Sequence, residues 1–328
     1  MKFRKITTMI LACLMAAVLM AGISSAQPED AEPVTVTDMT GREITLEEPA
    51  ERIVALSAAD CEVLFALGAG DLLVGRGEYC DYPAEVLDKP SVQSGYDTNI
   101  EEIIALEPQV LLMSTMAQTE EQIKALEDAG IKVVVSDAQD IEGVYQSLEI
   151  IGTLTGRTEE AETIIRNMKD TFAALQEEAS GKEGGTVYFE VSPLEYGLWA
   201  AGNGTFMNEI AEMIGLTNVF ADVEQWGEVS EEQVIERNPD YIVTITMYFG
   251  EGPTPEEEIM SRQGWENVTA VQNGAILNLQ NNELSRPVPR LTEGAQMLYD
   301  FVYAEAVGEA PAEEDAPAEE AQELEPAA

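Results

Sequence analysis

The feature that most constrains the fold is a short pattern that occurs twice in the chain. Residues 100–114 read IEEIIALEPQVLLMS, and residues 231–245 read EEQVIERNPDYIVTI. Aligned on Pro108 and Pro239, each copy contains an amphipathic helix, a proline that ends it and an apolar run. An apolar run of this kind predicts a buried strand of a parallel sheet. The repeat therefore predicts two α/β lobes of similar design, with a cleft between them.

The order of apolar and polar segments elsewhere agrees with this fold. After a hairpin over residues 34–46, short apolar runs alternate with amphipathic segments, which predicts parallel strands covered by helices. Thr158 can cap a helix that continues to Ala179, a length of about 30 Å. We interpret this helix as a rigid spacer, because a flexible linker would be richer in glycine and serine.

These patterns divide the chain into six predicted segments. They are a signal peptide over residues 1–26, a linker over 27–33, an N-terminal α/β lobe over 34–156, an interlobe helix over 157–180, a C-terminal α/β lobe over 181–306 and an acidic tail over 307–328. The tail consists mostly of alanine, proline and glutamate and has no basic residue, so it cannot bury enough apolar surface to fold.

The first 26 residues have the organisation of a secretory signal. Three basic residues precede an apolar run over residues 6–23, and small residues end at Ala26. We expect cleavage after Ala26 and a mature protein that lies outside the cytoplasmic membrane. Two alternatives stay open, an uncleaved membrane anchor and a lipoprotein processed at Cys13.

The net charge of −45 bears on the class of partner. A surface this acidic repels the phosphates of nucleic acids, so nucleic-acid binding is excluded as a function. We interpret the charge as a means of solubility and mutual repulsion between molecules.

The chain has no histidine. This excludes the usual Ser-His-Asp and Cys-His nucleophile systems and zinc sites that contain histidine. Gly202 and Gly204 lack the third glycine of the dinucleotide fingerprint and any Walker lysine. We therefore predict no enzymatic activity, no metal site and no cofactor. Cys61 and Cys80 remain after processing, and the sequence leaves a disulfide and a pair of free thiols both open.

Five short segments are informative as an ordered set. They are RIVALSAADCEVLFALGA at 52–69, YCDYP at 79–83, NIEEIIALEP at 99–108, VSEEQV at 229–234 and RPVPR at 286–290. Together they resemble the solute-binding proteins of ABC importers for iron-siderophores, heme and cobalamin. The resemblance implies an α/β fold of two Rossmann-like lobes with parallel sheets, joined by one long rigid helix. It also implies a monomer that delivers an iron complex or a corrinoid to a membrane permease, and of these two ligands we favour the iron complex.

The resemblance assigns a role to two acidic residues. In that family one exposed glutamate on each lobe docks onto arginines of the permease, and the matching positions are Glu101 and Glu232. The internal repeat places the same two residues in register. A structural alternative exists, because an acidic residue in the first turn of a helix is stabilised by the helix dipole.

The resemblance also implies ligand-binding residues in the loops beyond the strands, where open α/β sheets bind their ligands. The candidates are Tyr82, Tyr96, Trp199, Trp226 and Arg286. Aromatic rings would stack on a flat or macrocyclic ligand, and an arginine would pair with its oxygen anions. We expect Tyr82, Trp226 and Arg286 to face one cleft. For each aromatic residue, packing within a lobe is the alternative.

Two other classes of protein stay open at this point. One is an extracellular hydrolase that uses carboxylates on a bilobal scaffold, and the other is a surface scaffold or adhesion protein. Clustered aromatic and arginine side chains would support a binding protein. Two close carboxylates of different protonation would support an enzyme.

Overall fold

The computed structural model describes residues 33–95, 97–115, 119–250, 252–279 and 283–303. These divide into two compact units. The first unit comprises the described residues up to Asp137 together with Gln146–Glu162, and the second comprises Ala138–Tyr145 and the described residues from Thr163 onward. The predicted signal peptide over residues 1–26, all of the linker but its last residue, and the acidic tail lie outside the described residues.

The first unit opens with the hairpin that the sequence predicts. Strands β1 (Val34–Thr37) and β2 (Glu43–Leu46) pair antiparallel. The carboxylate of Asp38 holds the turn, because it accepts hydrogen bonds from the backbone N–H groups of Thr40 and Arg42, each at 3.0 Å. The hairpin prediction is confirmed.

A five-stranded parallel sheet forms the centre of this unit, in the order β5-β4-β3-β6-β7. Its strands are β3 (Ile53–Ala55), β4 (Leu73–Gly77), β5 (Ser91–Val92), β6 (Val110–Met113) and β7 (Lys132–Val135). Its helices are α1 (Ala58–Ala66), α2 (Ile100–Ala105) and α3 (Glu120–Asp128). The central strands β3 and β6 are buried along their whole length, which explains their continuous apolar sequence.

Two helices follow, and the division between the units falls inside both of them. They are α4 (Ile141–Leu154) and α5 (Thr158–Ala179), which has 22 residues. The predicted helix at residues 157–180 is therefore present, while its role as a rigid connector and the predicted lobe boundaries stay predictions. Within the described ranges, no helix is both long and apolar enough to cross a membrane.

The second unit contains a six-stranded mixed sheet, in the order β11-β9-β8-β12-β13 with β10 also on β8. Its strands are β8 (Thr186–Ser192), β9 (Trp199–Ala201), β10 (Thr217–Asn218), β11 (Trp226–Glu228), β12 (Tyr241–Thr244) and β13 (Ile276–Asn278). Its helices are α6 (Phe206–Met213), α7 (Glu231–Arg237), α8 (Pro255–Ser261), α9 (Thr269–Asn273) and α10 (Leu291–Tyr303). Strands β8, β10, β12 and β13 are parallel, whereas β9 is antiparallel to both β8 and β11.

The repeat found in the sequence is present in both units. Helix α2 ends before Pro108 and leads into β6, and α7 ends before Pro239 and leads into β12. Each of these strands pairs in parallel with the first strand of its own sheet, β6 with β3 and β12 with β8. The α/β fold with parallel sheets is therefore confirmed.

The short strands β9 and β11 differ from the sequence interpretation, which placed Trp199 and Trp226 in loops. Each strand has three residues, and their sequences WAA and WGE show no alternation of apolar and polar residues. They are strands only because β9 forms backbone hydrogen bonds with both β8 and β11. A pattern this short carries no local signal for a strand.

A buried ion pair links two elements of the second unit. Arg262 Nη1 lies 2.6 Å from Glu190 Oε2, and both side chains are 1% exposed. Arg262 Nη2 also contacts Glu258 at 2.6 Å, and the guanidinium stacks on Trp265 at 4.6 Å from the ring centroid. Burial raises the pKa of Glu190, and the hydrogen bonds from Arg262 oppose that rise. The arginine is therefore the group that lets this carboxylate stay charged inside the protein.

We expect Arg262→Ala to lower the free energy of unfolding by about 3–5 kcal/mol, because it leaves Glu190 buried without its partner. Urea denaturation followed by circular dichroism measures this. Lys124→Ala is the control, since its ion pair with Asp128 is exposed and should change stability by less than about 1 kcal/mol. Equal effects of the two substitutions would contradict a stabilising role for the buried pair.

Candidate functional site

The ladder between β9 and β11 places two tryptophans on one face of the second unit's sheet. Trp226 is opposite Ala201, and Trp199 is opposite Glu228. Opposite residues of an antiparallel pair share a face, and so do residues two apart on one strand. The indole groups of Trp199 and Trp226 are therefore diagonal neighbours, a relation in which Cα atoms are about 7–8 Å apart and aromatic rings can meet.

The opposite face of the same strand belongs to the core. Leu198 and Ala200, which alternate with Trp199, pack in a buried cluster with Tyr188 and Phe220. Trp199 is instead 40% exposed. The core thus takes the side of β9 that carries Ala200. On the tryptophan side Ala201 is buried, while Trp199 is partly exposed.

Trp226 is held in place by two contacts within its own unit. Its Nε1–H donates to Gln139 Oε1 at 2.6 Å, and its ring lies 5.5 Å from the ring of Phe206 at an interplanar angle of 59°. The backbone N–H of Phe206 donates to the carbonyl of Gln139 at 2.9 Å, which fixes these partners to each other. The indole is half-buried and oriented, and part of its surface stays accessible.

The glycine pair noted in the sequence has a structural role here. A Cβ at Gly202 would lie 2.1 Å from the carbonyl oxygen of Val223, so only glycine lets the two backbones approach. Gly204 has a φ of +77°, which also favours glycine. Thr205 then caps α6 by accepting a hydrogen bond from Asn208 N at 3.2 Å. The motif shapes the turn that brings β11 to β9.

Further aromatic side chains, which were not among the residues predicted from the sequence, lie at the carboxyl edge of this sheet. Tyr196 follows β8 and is 75% exposed, and Phe249 follows β12 and is 82% exposed. Since β8 and β12 are parallel neighbours, the segments after them leave at the same edge. Trp199 lies there too, because it pairs with Ser192, the last residue of β8. The sequence could have identified Tyr196 and Phe249 as candidates, since each follows an apolar strand.

The candidates in the first unit lie after β4. Tyr82 is 44% exposed and its neighbour Tyr79 is 73% exposed. Arg76 Nη1 organises this segment by donating to the carbonyl groups of Gly77 and Cys80, each at 3.1 Å. Tyr96 lies outside the described residues.

Two arginines follow β13 in the second unit. Arg286 is partly buried, and its carbonyl accepts a hydrogen bond from Val288 N at 2.9 Å. Arg290 forms an ion pair with Glu283 at 3.5 Å, and its carbonyl accepts from the first residues of α10. The structure thus joins Trp199 with Trp226 in one ladder, and the expectation that Tyr82, Trp226 and Arg286 face one cleft stays a prediction.

The two candidate docking residues have matching local positions. Glu101 is the second residue of α2 and Glu232 is the second residue of α7, and both are exposed. Backbone and Ser230 hydrogen bonds lower the pKa of Glu232, which keeps it charged. The adjacent Glu231 accepts from the indole N–H of Trp265 at 2.9 Å and so is used inside the unit.

One buried acid lies near the carboxyl edge of the first unit's sheet. Asp60 is 1% exposed and accepts from Ser57 Oγ at 2.6 Å. Burial raises the pKa of Asp60 to about 6. The negative charge of Asp137 adds to this rise. Because Asp60 is buried, its carboxyl group cannot contact a substrate. Among the described residues, no group of three or more carboxylate or cysteine side chains is placed to hold a metal ion.

Comparison with known proteins gives consistent matches. Residues 53–283, which run through both units, match the sequence profile of the family described as periplasmic binding protein. YvrC of Bacillus subtilis strain 168, an uncharacterized ABC transporter substrate-binding lipoprotein, is 33% identical over 289 residues, covering 86% of this chain and 90% of that protein. The vitamin B12-binding protein of Salmonella typhimurium is 30% identical over 252 residues, covering 76% and 89%.

A solved structure extends the similarity to the fold. It is described as an ABC-type Fe3+-hydroxamate transport system from Saccharomonospora viridis. The TM-score is 0.70 at 28% sequence identity, and the match covers 82% of this chain and 99% of that one.

The raised pKa of Asp60 predicts a pH dependence of stability. Between about pH 4 and pH 6 the folded protein keeps a proton that the unfolded chain has lost, so this contribution to stability falls as the pH rises through 6. Relative to Asp60→Asn, we expect the parent to lose about 1–3 kcal/mol of unfolding free energy from pH 4 to pH 7. Urea denaturation across this range measures it, and replacing the exposed Asp71 with Asn is the control. Parallel curves for parent and Asp60→Asn would contradict the assignment.

Proposed function

The chain belongs to the periplasmic binding protein family and is an extracytoplasmic substrate-binding protein of an ABC importer, and on this basis we propose that its ligand is a corrinoid of the cobalamin class. The proposal includes export by a signal peptide cleaved after Ala26, action as a monomer, and binding without chemical conversion of the ligand. The tryptophan pair of the β9–β11 ladder is the observation that carries the choice of ligand.

A corrinoid suits this pair because the ligand is a broad macrocycle. Trp199 and Trp226 are diagonal neighbours on one face, so a flat ring system can contact both indoles at once. Trp226 is also fixed by Gln139 and Phe206, so little side-chain freedom is lost when a ligand binds. This arrangement favours stacking over recognition by charge.

The negative charge of the protein also favours a corrinoid over anionic ligands. A net charge of −45 repels anionic ligands over a distance. Ferric catecholates carry several negative charges and heme carries two propionates, whereas the rim of a corrin ring carries amides. The similarity to the vitamin B12-binding protein of Salmonella typhimurium supports the same choice.

A ferric hydroxamate is the second candidate, and it replaces the general iron complex favoured from the sequence. Ferric hydroxamates are neutral or cationic, so the acidic surface does not oppose them. The similarity to the Fe3+-hydroxamate protein of Saccharomonospora viridis supports this candidate.

For delivery, we propose that Glu101 and Glu232 dock onto basic residues of the permease. Each is an exposed carboxylate in the first turn of an equivalent helix, one in each unit. Two contacts define the orientation of the bound protein better than one, and they steer association at low salt.

The ligand proposal is tested by titrating cyanocobalamin and ferrioxamine B into the purified protein by isothermal titration calorimetry. We expect cyanocobalamin to bind, and Trp226→Ala to weaken binding by about 1–3 kcal/mol, the range for losing one stacked ring. Trp226→Phe is the matched control, since it keeps an aromatic ring and should retain most of the affinity. Binding of ferrioxamine B alone, or equal affinity of parent and Trp226→Ala, would reject the corrinoid site.

The docking proposal is tested with the double variant Glu101→Arg/Glu232→Arg. Because both side chains are exposed, we expect unchanged ligand affinity and a loss of stimulated ATP hydrolysis by the importer of at least about tenfold. Glu102→Arg/Glu236→Arg makes the same charge change on the same two helices and should leave stimulation near the parental level. Equal stimulation by both double variants would show that the positions have no special role.

A further inference from the structure

The two cysteines of the described chain lie next to each other in the first unit. Both are free thiols with 0% exposure. Cys61 Sγ lies 3.7 Å from the carbonyl oxygen of Ala55, and Cys80 Sγ lies 3.9 Å from that oxygen and from the carbonyl oxygen of Leu56. The Cys61 thiol also forms a hydrogen bond with Cys80, so the two sulfurs are close enough to react with each other after a small movement.

The topology explains why residues 19 positions apart meet. Cys61 lies in α1, which follows β3, and Cys80 follows β4, the parallel neighbour of β3. A Cβ at Gly77 would lie 2.2 Å from the carbonyl oxygen of Leu56, so the absence of a side chain lets the end of β4 approach β3 closely. The backbone N–H of Cys80 then donates to the carbonyl of Gly77 at 3.1 Å and turns the chain back.

The surroundings favour a structural thiol pair over a reactive or metal-binding one. The hydrogen bond with Cys80, together with burial, raises the pKa of the Cys61 thiol. A raised pKa removes the thiolate that a nucleophilic cysteine needs. Two sulfurs supply only half of a tetrahedral zinc site, and the described residues offer no group of three potential ligands.

We propose that Cys61 and Cys80 form an intramolecular disulfide after export, and that this bond ties the segment from Glu78 to Pro83 to helix α1. Extracytoplasmic compartments allow disulfides to form and persist. The segment carries the exposed Tyr79 and Tyr82, so the bond would hold a candidate ligand-binding surface in place. The inference rests on the extracytoplasmic location of the protein and not on the identity of its ligand.

The reaction is a thiol–disulfide exchange with an external disulfide as oxidant. One cysteine thiolate attacks a sulfur of that disulfide, forming a mixed disulfide and releasing one thiolate. The second cysteine thiolate attacks the protein sulfur of the mixed disulfide, forms the Cys61–Cys80 bond and releases the second thiolate. The two protons of the cysteines end on the two released thiols. We place these steps during folding, before burial closes the site.

The test is a peptide map of the full chain. The protein is unfolded in denaturant, refolded in the presence of oxidised glutathione, unfolded again and alkylated without reductant. Trypsin cleaves after Arg76 and so places Cys61 and Cys80 on different peptides, and cleavage after Arg42 and Arg52 keeps Cys13 on a third. We expect mass spectrometry to find the two peptides linked, with alkylation only after reduction. Alkylation of both cysteines without reductant, or a Cys61 peptide linked to a second chain, would overturn the proposal.

A thermal denaturation experiment tests the tethering role without any ligand. We expect a reductant to lower the Tm of the oxidised parent by about 5–10 °C, because the bond restricts the unfolded chain. Cys61→Ser and Cys80→Ser each remove one partner of the bond, and the reductant should leave their Tm unchanged. A parent Tm that does not respond to the reductant would overturn the tethering role. Neither outcome depends on whether the protein binds a corrinoid.

Discussion

The parallel pairing of β3 with β6 and of β8 with β12 is the constraint from which the candidate sites follow. Parallel neighbours run in one direction, so the chain must return by a crossover and leave every strand at the same edge. In the first unit that edge carries the segment with Tyr79 and Tyr82. In the second it carries Tyr196, Trp199 and Phe249. The helix–proline–strand repeat supplies one such return in each unit.

The roles of the acidic residues depend on whether their side chains are buried or exposed. Glu190 is buried and needs the guanidinium of Arg262 to stay charged, whereas Glu101 and Glu232 keep their hydration on exposed helix turns. Asp60 is buried with a hydrogen bond from the Ser57 hydroxyl, and burial raises its pKa to about 6, so it holds its proton up to about that pH. Removing a charge from water is costly, so each buried acid must be paired or neutral. Only the exposed carboxylates are suited to recognition by another protein.

Much of the fold was accessible from local sequence patterns. The helix predicted to run to Ala179 occurs as α5, and both repeats form a helix and a strand around the aligned proline. The prediction failed at β9 and β11. A strand of three residues is too short to show the alternation of apolar and polar residues, and Gly227 has no side chain to add to that alternation. Tyr196 and Phe249 were also missed, although both follow apolar strands.

The sequence by itself determined the class of fold, the two repeats, the family resemblance and the candidate residues. Each of these depends only on short segments of the chain and on the order in which they occur. The tertiary structure decided which candidates meet. Trp199 and Trp226 are neighbours only through the register of an antiparallel ladder, and Cys61 reaches Cys80 only because Gly77 lets two strands approach. Such contacts join residues far apart in the chain, and their formation depends on backbone pairing and close packing that no local pattern encodes.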